Sequence, residues 1–342
     1  MSVPIAYESA IGIGVREAAF GVQQSDASLT DWFPTKEADL AETEVMWETD
    51  EDEITGAMGA TKHTVFERKG SISRKCKATL EHVVWALMMM FGNVATTGTT
   101  PNFTSTIRWR DKCTLNPFSF SFLEGLSCAG STGTLILYKG CIVETITLEF
   151  NGKGPGSLTL GLKHDGSETA KPSATLPVSW YVSNALFGNM LNVKLGPLGT
   201  EDITGIARSW KMTITMGSVE PPSLSSSGIY VAEQQYGLKN PKIDVEIVAH
   251  FDKSHAIYGY SQGATPTTVK HIAAITVNAD RSLVLTQSSG KVQVSVKPVG
   301  SEFQGTIKFL EEFNTTDGTG GSYAAGKFVA KTGQGTWLVA SP

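Results

Sequence analysis

The sequence predicts a mainly β protein made of tandem β modules, and three observations carry that prediction. Apolar and polar residues alternate along most of the chain, most clearly at 140–150, 158–163, 205–216, 242–251, 291–297 and 303–309. Helical periodicity stands out in one segment only, directly after Thr79. Two pairs of segments also echo one another across the chain, as duplicated modules would.

In chain order, residues 1–30 lack periodicity and are expected to form an N-terminal arm. A first module is expected over 31–165, a linking or crossing segment over 166–200, a second module over 201–311 and a C-terminal arm over 312–342. Between Glu37 and Glu53 there are nine acidic residues and no basic one, a composition that fits a solvated face or loop. For the helix, Thr79 supplies the cap. Leu80, Val83, Val84, Leu87, Met88 and Phe91 form an apolar face, and Gly92 supplies the stop. Trp85, Ala86, Met89 and Met90 are apolar too, so this helix must be covered on more than one side. Either it lies deep in its own domain, or a neighbouring subunit covers Trp85, Met89 and Met90.

Within 140–150, Ile142, Ile146, Leu148 and Phe150 share one face, while Thr145, Thr147 and Glu149 share the other. Within 205–216, Ile206, Trp210, Met212, Ile214 and Met216 face away from Ser209, Lys211, Thr213 and Thr215. Half-buried antiparallel sheets produce this pattern. The first echo sets Thr79, His82 and Trp85 beside Asp252, His255 and Tyr258. The second sets Ile142, Glu144, Ile146, Leu148 and Phe150 beside Ile206, Arg208, Trp210, Met212 and Ile214. Segment 217–236, with Pro221, Pro222 and a serine run, reads as a long loop. The glycine-rich tail from Asn314 ends in Trp337, Leu338 and Val339, which an exposed tail does not need; a strand docked on its own sheet or a neighbour's is expected there.

With 41% apolar and 18% charged residues, the 342-residue chain can bury a large core, and its low charge hints at surface hidden between subunits. A net charge of −5 without a basic stripe argues against a surface built to grip nucleic acid. Cys76, Cys113, Cys128 and Cys141 form no C-x-x-C pair and have no histidine at metal-ligand spacing. The N-terminus has no basic start followed by an apolar core, so a reducing cytoplasm is expected for folding. The apolar run from Val83 to Phe91 is far shorter than the roughly 20 residues that span a bilayer. No phosphate-binding loop, nucleophile elbow or zinc-protease motif occurs. His250 and His255 lie five apart, off a common helical face, and Asp50–Glu53 lacks the turn glycine of a calcium loop. The expectation is no catalytic residue, no metal, no cofactor and no enzyme.

Several stretches resemble the tail-tube proteins of long-tailed phages. They are Ile11-Gly-Ile-Gly-Val-Arg-Glu-Ala-Ala-Phe-Gly21, Asp31-Trp-Phe-Pro34, and the segment from Gly56 to Gly70 with the strand and apolar helix that end at Met90-Phe-Gly92. Tyr138-Lys-Gly140-Cys-Ile-Val-Glu-Thr-Ile-Thr-Leu-Glu-Phe150, a glycine-led strand before a Gly/Pro turn, is similar as well. The resemblance implies a β-sandwich or barrel with a flanking helix. Its subunits form rings, and the rings stack into a tube that conducts DNA during ejection. A chain with two such modules would make a pseudo-sixfold ring from three copies; a single module would need a hexamer. The tape-measure, tail-terminator and distal tail proteins are the partners it implies, with DNA as passing cargo and the virion tail, assembled in the host cytoplasm, as the location. An acidic lumen would let DNA slide. Glu149, Asp244 and Glu246 are the lumen-lining candidates, from the polar faces of their strands. Ring stacking is expected at Glu42, Glu44, Glu48, Asp50, Glu51, Asp52 and Glu53, and at Pro221, Pro222 and Tyr230. The competing expectations are a monomeric β-sandwich binding or decoration module, such as a carbohydrate binder, and a capsid-type shell protein.

Overall fold

The computed structural model describes residues 9–14, 16–18, 21–22, 31–34, 43–49, 63–108, 119–126, 134–166, 168–171, 185–216, 218–219, 222–223, 231–232, 236–237, 242–262, 266–311 and 326–333. The period-two alternation becomes strands, all paired antiparallel. In the N-terminal half they are β1 (Ser9–Ile13), β2 (Asp31–Pro34), β3 (Thr43–Thr49), β4 (His63–Lys77), β5 (Asn93–Thr99), β6 (Asn102–Arg108), β7 (Phe120–Leu126), β8 (Thr134–Asn151), β9 (Ser157–His164) and β10 (Glu168–Lys171), with helix α1 (Leu80–Phe91) between β4 and β5. The C-terminal half contributes β11 (Leu191–Leu195), β12 (Glu201–Asp202), β13 (Ala207–Thr215), β14 (Ser218–Val219), β15 (Pro222–Ser223), β16 (Val231–Ala232), β17 (Tyr236–Gly237), β18 (Lys242–Ala249), β19 (Val269–Asn278), β20 (Arg281–Val299), β21 (Glu302–Glu311) and β22 (Lys327–Thr332). Helix α2 (Ala256–Tyr260) lies between β18 and β19. Eighteen of these strands join one antiparallel sheet.

Two long strands organise that sheet, and each changes partners at a glycine. Before Gly140, β8 pairs with β7 and β10; beyond it, β8 pairs with β9 and β13. Gly140 takes φ 60, a left-handed value that favours glycine. Up to Gly290, β20 pairs with β19 and β22; beyond it, β20 pairs with β21. A Cβ on Gly290 would lie 2.4 Å from the Phe309 ring, so the close approach at this change of partner needs a residue without one.

The two halves follow the same route. A strand (β4 or β18) leads into a helix, a hairpin follows (β7–β8 or β19–β20), and a last strand (β9 or β21) returns between the long strand and the first. A short strand then adds to the long strand's first portion (β10 or β22), and an N-terminal hairpin borders the sheet at β7 or β19 (β1–β2 or β11–β12). The halves meet twice. β13 pairs with β18 and with β8, giving one ladder in the order β4-β9-β8-β13-β18-β21-β20. The β5–β6 hairpin of the first half reaches β22 of the second.

The helix answers a question its sequence left open. All twelve residues of α1 are buried, with Thr79 as N-cap and Gly92 in the left-handed region as C-cap. Its neighbours are β8, β5 and β6 from its own half and β20 and β22 from the other. Trp85, Met89 and Met90 are at most 2% exposed. The second greasy side is therefore covered by the other half of the same chain, and these residues offer no surface to a separate subunit. The Trp85 indole donates to the Gly14 carbonyl at 3.0 Å and meets Phe120 edge-on at 4.8 Å, while Phe91 meets Phe328 of β22 at 5.4 Å.

Several expectations change. Residues 9–13, expected in an arm, form β1 inside the sheet, and β22, expected in a C-terminal arm, sits between β20 and β6. Trp337, Leu338 and Val339 lie outside the described residues. The proposed loop 217–236 carries two short antiparallel pairs, β14 with β17 and β15 with β16. The helix echo holds only loosely: α2 is capped by His255, whereas Asp252 closes a turn on Ser254. The second echo does not join equivalent strands. β8 and β13 are direct neighbours, with Phe150 opposite Trp210 and Leu148 opposite Met212; the counterpart of β8 is β20.

Candidate functional site

The continuous ladder has one buried face and one polar face. On β8, Ile146, Leu148 and Phe150 point inward, as do Trp210, Met212 and Ile214 on β13 and Ile243, Val245 and Ile247 on β18. The alternate positions share the other face, and Glu149, Asp244 and Glu246 are all among them. Cross-strand register sets Glu149 opposite Lys211, Lys211 opposite Glu246, and Glu246 opposite Lys308. A row of alternating charge thus runs across the junction of the two halves. The Lys308 ammonium is 3.9 Å from Glu246, Lys242 is 2.9 Å from Asp244, and Lys163 is 2.9 Å from Glu144. Glu149 also accepts from the Asn151 amide at 2.8 Å.

This face is not the acidic lining expected from net charge. Lysines 163, 211, 242 and 308 are interleaved with its carboxylates, and the outermost strands add Lys75 and Lys77 on β4 and Lys297 on β20. Sequence reasoning passed over these residues, although the alternation that placed Asp244 and Glu246 on the face places the lysines there as well.

Of the stacking candidates, Glu42, Asp50, Glu51, Asp52, Glu53, Pro221 and Tyr230 lie outside the described residues. Glu44 and Glu48 are on β3, opposite Lys69 and Thr64 of β4, and Pro222 is on β15, opposite Ala232. The two candidate segments belong to neighbouring hairpins, because β16 lies against β4.

Polar groups inside the molecule serve the fold. Arg74 on β4 pairs with Glu124 on β7, both buried. The Glu17 carboxylate accepts from the Ser121 hydroxyl at 2.9 Å, the Gly140 amide at 3.1 Å and the Gly21 amide at 3.0 Å, tying the N-terminal segment to the bend of β8. Burial pushes its carboxyl above the usual range, and these hydrogen bonds pull it back. In the second half the Trp210 indole donates to His271 Nε2 at 3.4 Å, and His271 Nδ1 lies 2.8 Å from Gln287 Oε1. A neutral ring protonated at Nδ1 satisfies both contacts. Burial holds His271 down to about 4. His164 is lowered to about 4 and His82 to about 3 by the same cause.

Among the described residues no group of three His, Cys, Asp or Glu side chains is placed to hold a metal ion. A cleft beside Trp210 and Arg208 has a volume of about 40 Å³, small against the roughly 300–1,000 Å³ of a ligand pocket. No described helix is long and apolar enough to cross a membrane. No family model matches the chain, and no curated protein matches it.

Proposed function

We propose that this chain is a structural subunit that polymerises with itself, as the tail-tube resemblance implies, and that its two halves are tandem tube modules of sandwich or barrel type. The observation that carries the proposal is the repeated strand order. β4-β9-β8 is followed by β18-β21-β20, joined edge to edge through β13. A chain that already joins two like sheets side by side has the geometry to join further copies the same way, and a head-to-tail contact of this kind closes into rings. Three copies would supply six modules, a pseudo-sixfold ring. Stacked rings would then form the conduit for DNA in a virion tail, bounded by tape-measure, terminator and distal tail proteins.

In that tube the polar face would line the lumen. Its lysines are matched by neighbouring acids along the Glu149-Lys211-Glu246-Lys308 row, so local neutrality, and not a net acidic lining, would keep passing phosphates from being gripped. Negative-stain electron microscopy of the purified chain, with its mass in solution, tests the proposal. Hollow tubes or stacked rings with threefold or pseudo-sixfold symmetry are expected. A chain that stays monomeric at high concentration would sink it.

A further inference from the structure

We infer that the outer edge of β20 is a docking seam for a second copy of this chain, met by the acidic run of that copy; the inference rests on the self-assembly proposed above. From Lys291 to Val299, β20 has β21 on one side and no ladder partner among the described residues on the other. Its counterpart β8 shows what a sealed edge looks like. There β13 covers the flank, and Ile146, Leu148 and Phe150 are at most 1% exposed. On β20 the matching inward positions, Val294 and Val296, are only half-buried, and Phe303 on adjacent β21 is 51% exposed. This half of the core lacks the strand that closes the other half.

Charge says what that strand should carry. At the internal junction β13 brings Lys211 between two acids, Glu149 and Glu246. The exposed positions of β20 are Gln293, Ser295 and Lys297, with no acid among them, and the opposite outer strand, β4, exposes Lys75 and Lys77. Two lysine-bearing edges repel one another, which also guards the monomer against indiscriminate pairing. The complementary sequence is the run from Glu37 to Glu53, with nine acidic residues and no basic one. Part of it, Glu44 and Glu48, lies on β3 beside β4, at the far end of the ladder from β20. A copy that approaches with that side gives opposite charges at the seam and the head-to-tail sense a ring requires.

The test compares full-length chains by sedimentation and negative-stain microscopy, with the melting temperature of each monomer as the folding control. Lys297→Glu should lower the assembled fraction by about tenfold at equal concentration, with melting unchanged. Lys331→Glu, on β22 and away from the seam, should assemble normally. Adding Glu44→Lys and Glu48→Lys to the Lys297→Glu chain should restore assembly. If Lys297→Glu assembles like the natural chain, with the same salt dependence, the seam is wrong while self-assembly stands. If the natural chain never assembles, both fall.

Discussion

The two halves of this molecule share a route through space and differ in how they are closed. In the first, β13 seals the β8 edge, and α1 is roofed by strands from the other half. In the second, the β20 edge has one partner among the described residues, and α2 is a five-residue helix with only Ile257 buried. Buried polar groups differ as well: the first half uses an ion pair, Arg74 with Glu124, and the second a neutral relay from Trp210 through His271 to Gln287. One topology thus tolerates quite different interiors. What sets the halves apart is which flank already has a neighbour.

That contrast can be broken experimentally, beginning with the ion pair. Glu124→Leu leaves a buried guanidinium without its carboxylate and should cost about 3–5 kcal/mol in urea unfolding, whereas the second half has no such liability. Leu148→Ala at the sealed edge should cost about 3 kcal/mol, and Val296→Ala at the open edge about 1 kcal/mol; equal losses would mean that β20 is as closed as β8. Acid should act through the buried histidines. Each is lowered in the folded state from an ordinary value of about 6.5. The stability of the neutral form is complete above that value and drains away as pH falls towards about 4, the level of His164 and His271. His271→Gln should flatten this acid limb by up to about 3 kcal/mol, measured by unfolding at pH 7 and pH 4.5. Smallest is Lys211→Glu, which sets a third acid between Glu149 and Glu246. A loss of below about 1 kcal/mol, relieved by salt, would show that the charge row only tunes the internal junction.

Much of this was legible in the sequence where burial imposes a period. The alternation at 140–150, 205–216, 242–251 and 303–309 marks strands that face the core on one side, and α1 was delimited at both caps. The β5–β6 hairpin was not legible, because its threonines and serines lie on an exposed ribbon with little apolar alternation to detect. Period-two patterns report which face is buried and not which strand is adjacent, so β8 was matched to its own neighbour β13 instead of to β20. The lumen candidates were brought onto one face because parity is local. Their lysine neighbours were overlooked because net charge averages over the whole chain and carries no information about position.

The position of β22 has a consequence for synthesis. Its register sets Phe328 opposite Ile107 on one side and opposite Leu285 on the other, so the strand translated last among those described completes the covering of a helix translated much earlier. While the ribosome is still reading the C-terminal half, the wall of α1 that faces β22 has nothing to rest on, and contacts of such long sequence separation form slowly. A truncated nascent chain would therefore present its most apolar segment to the cytosol, and chaperone capture should be strongest just before β22 emerges from the exit tunnel.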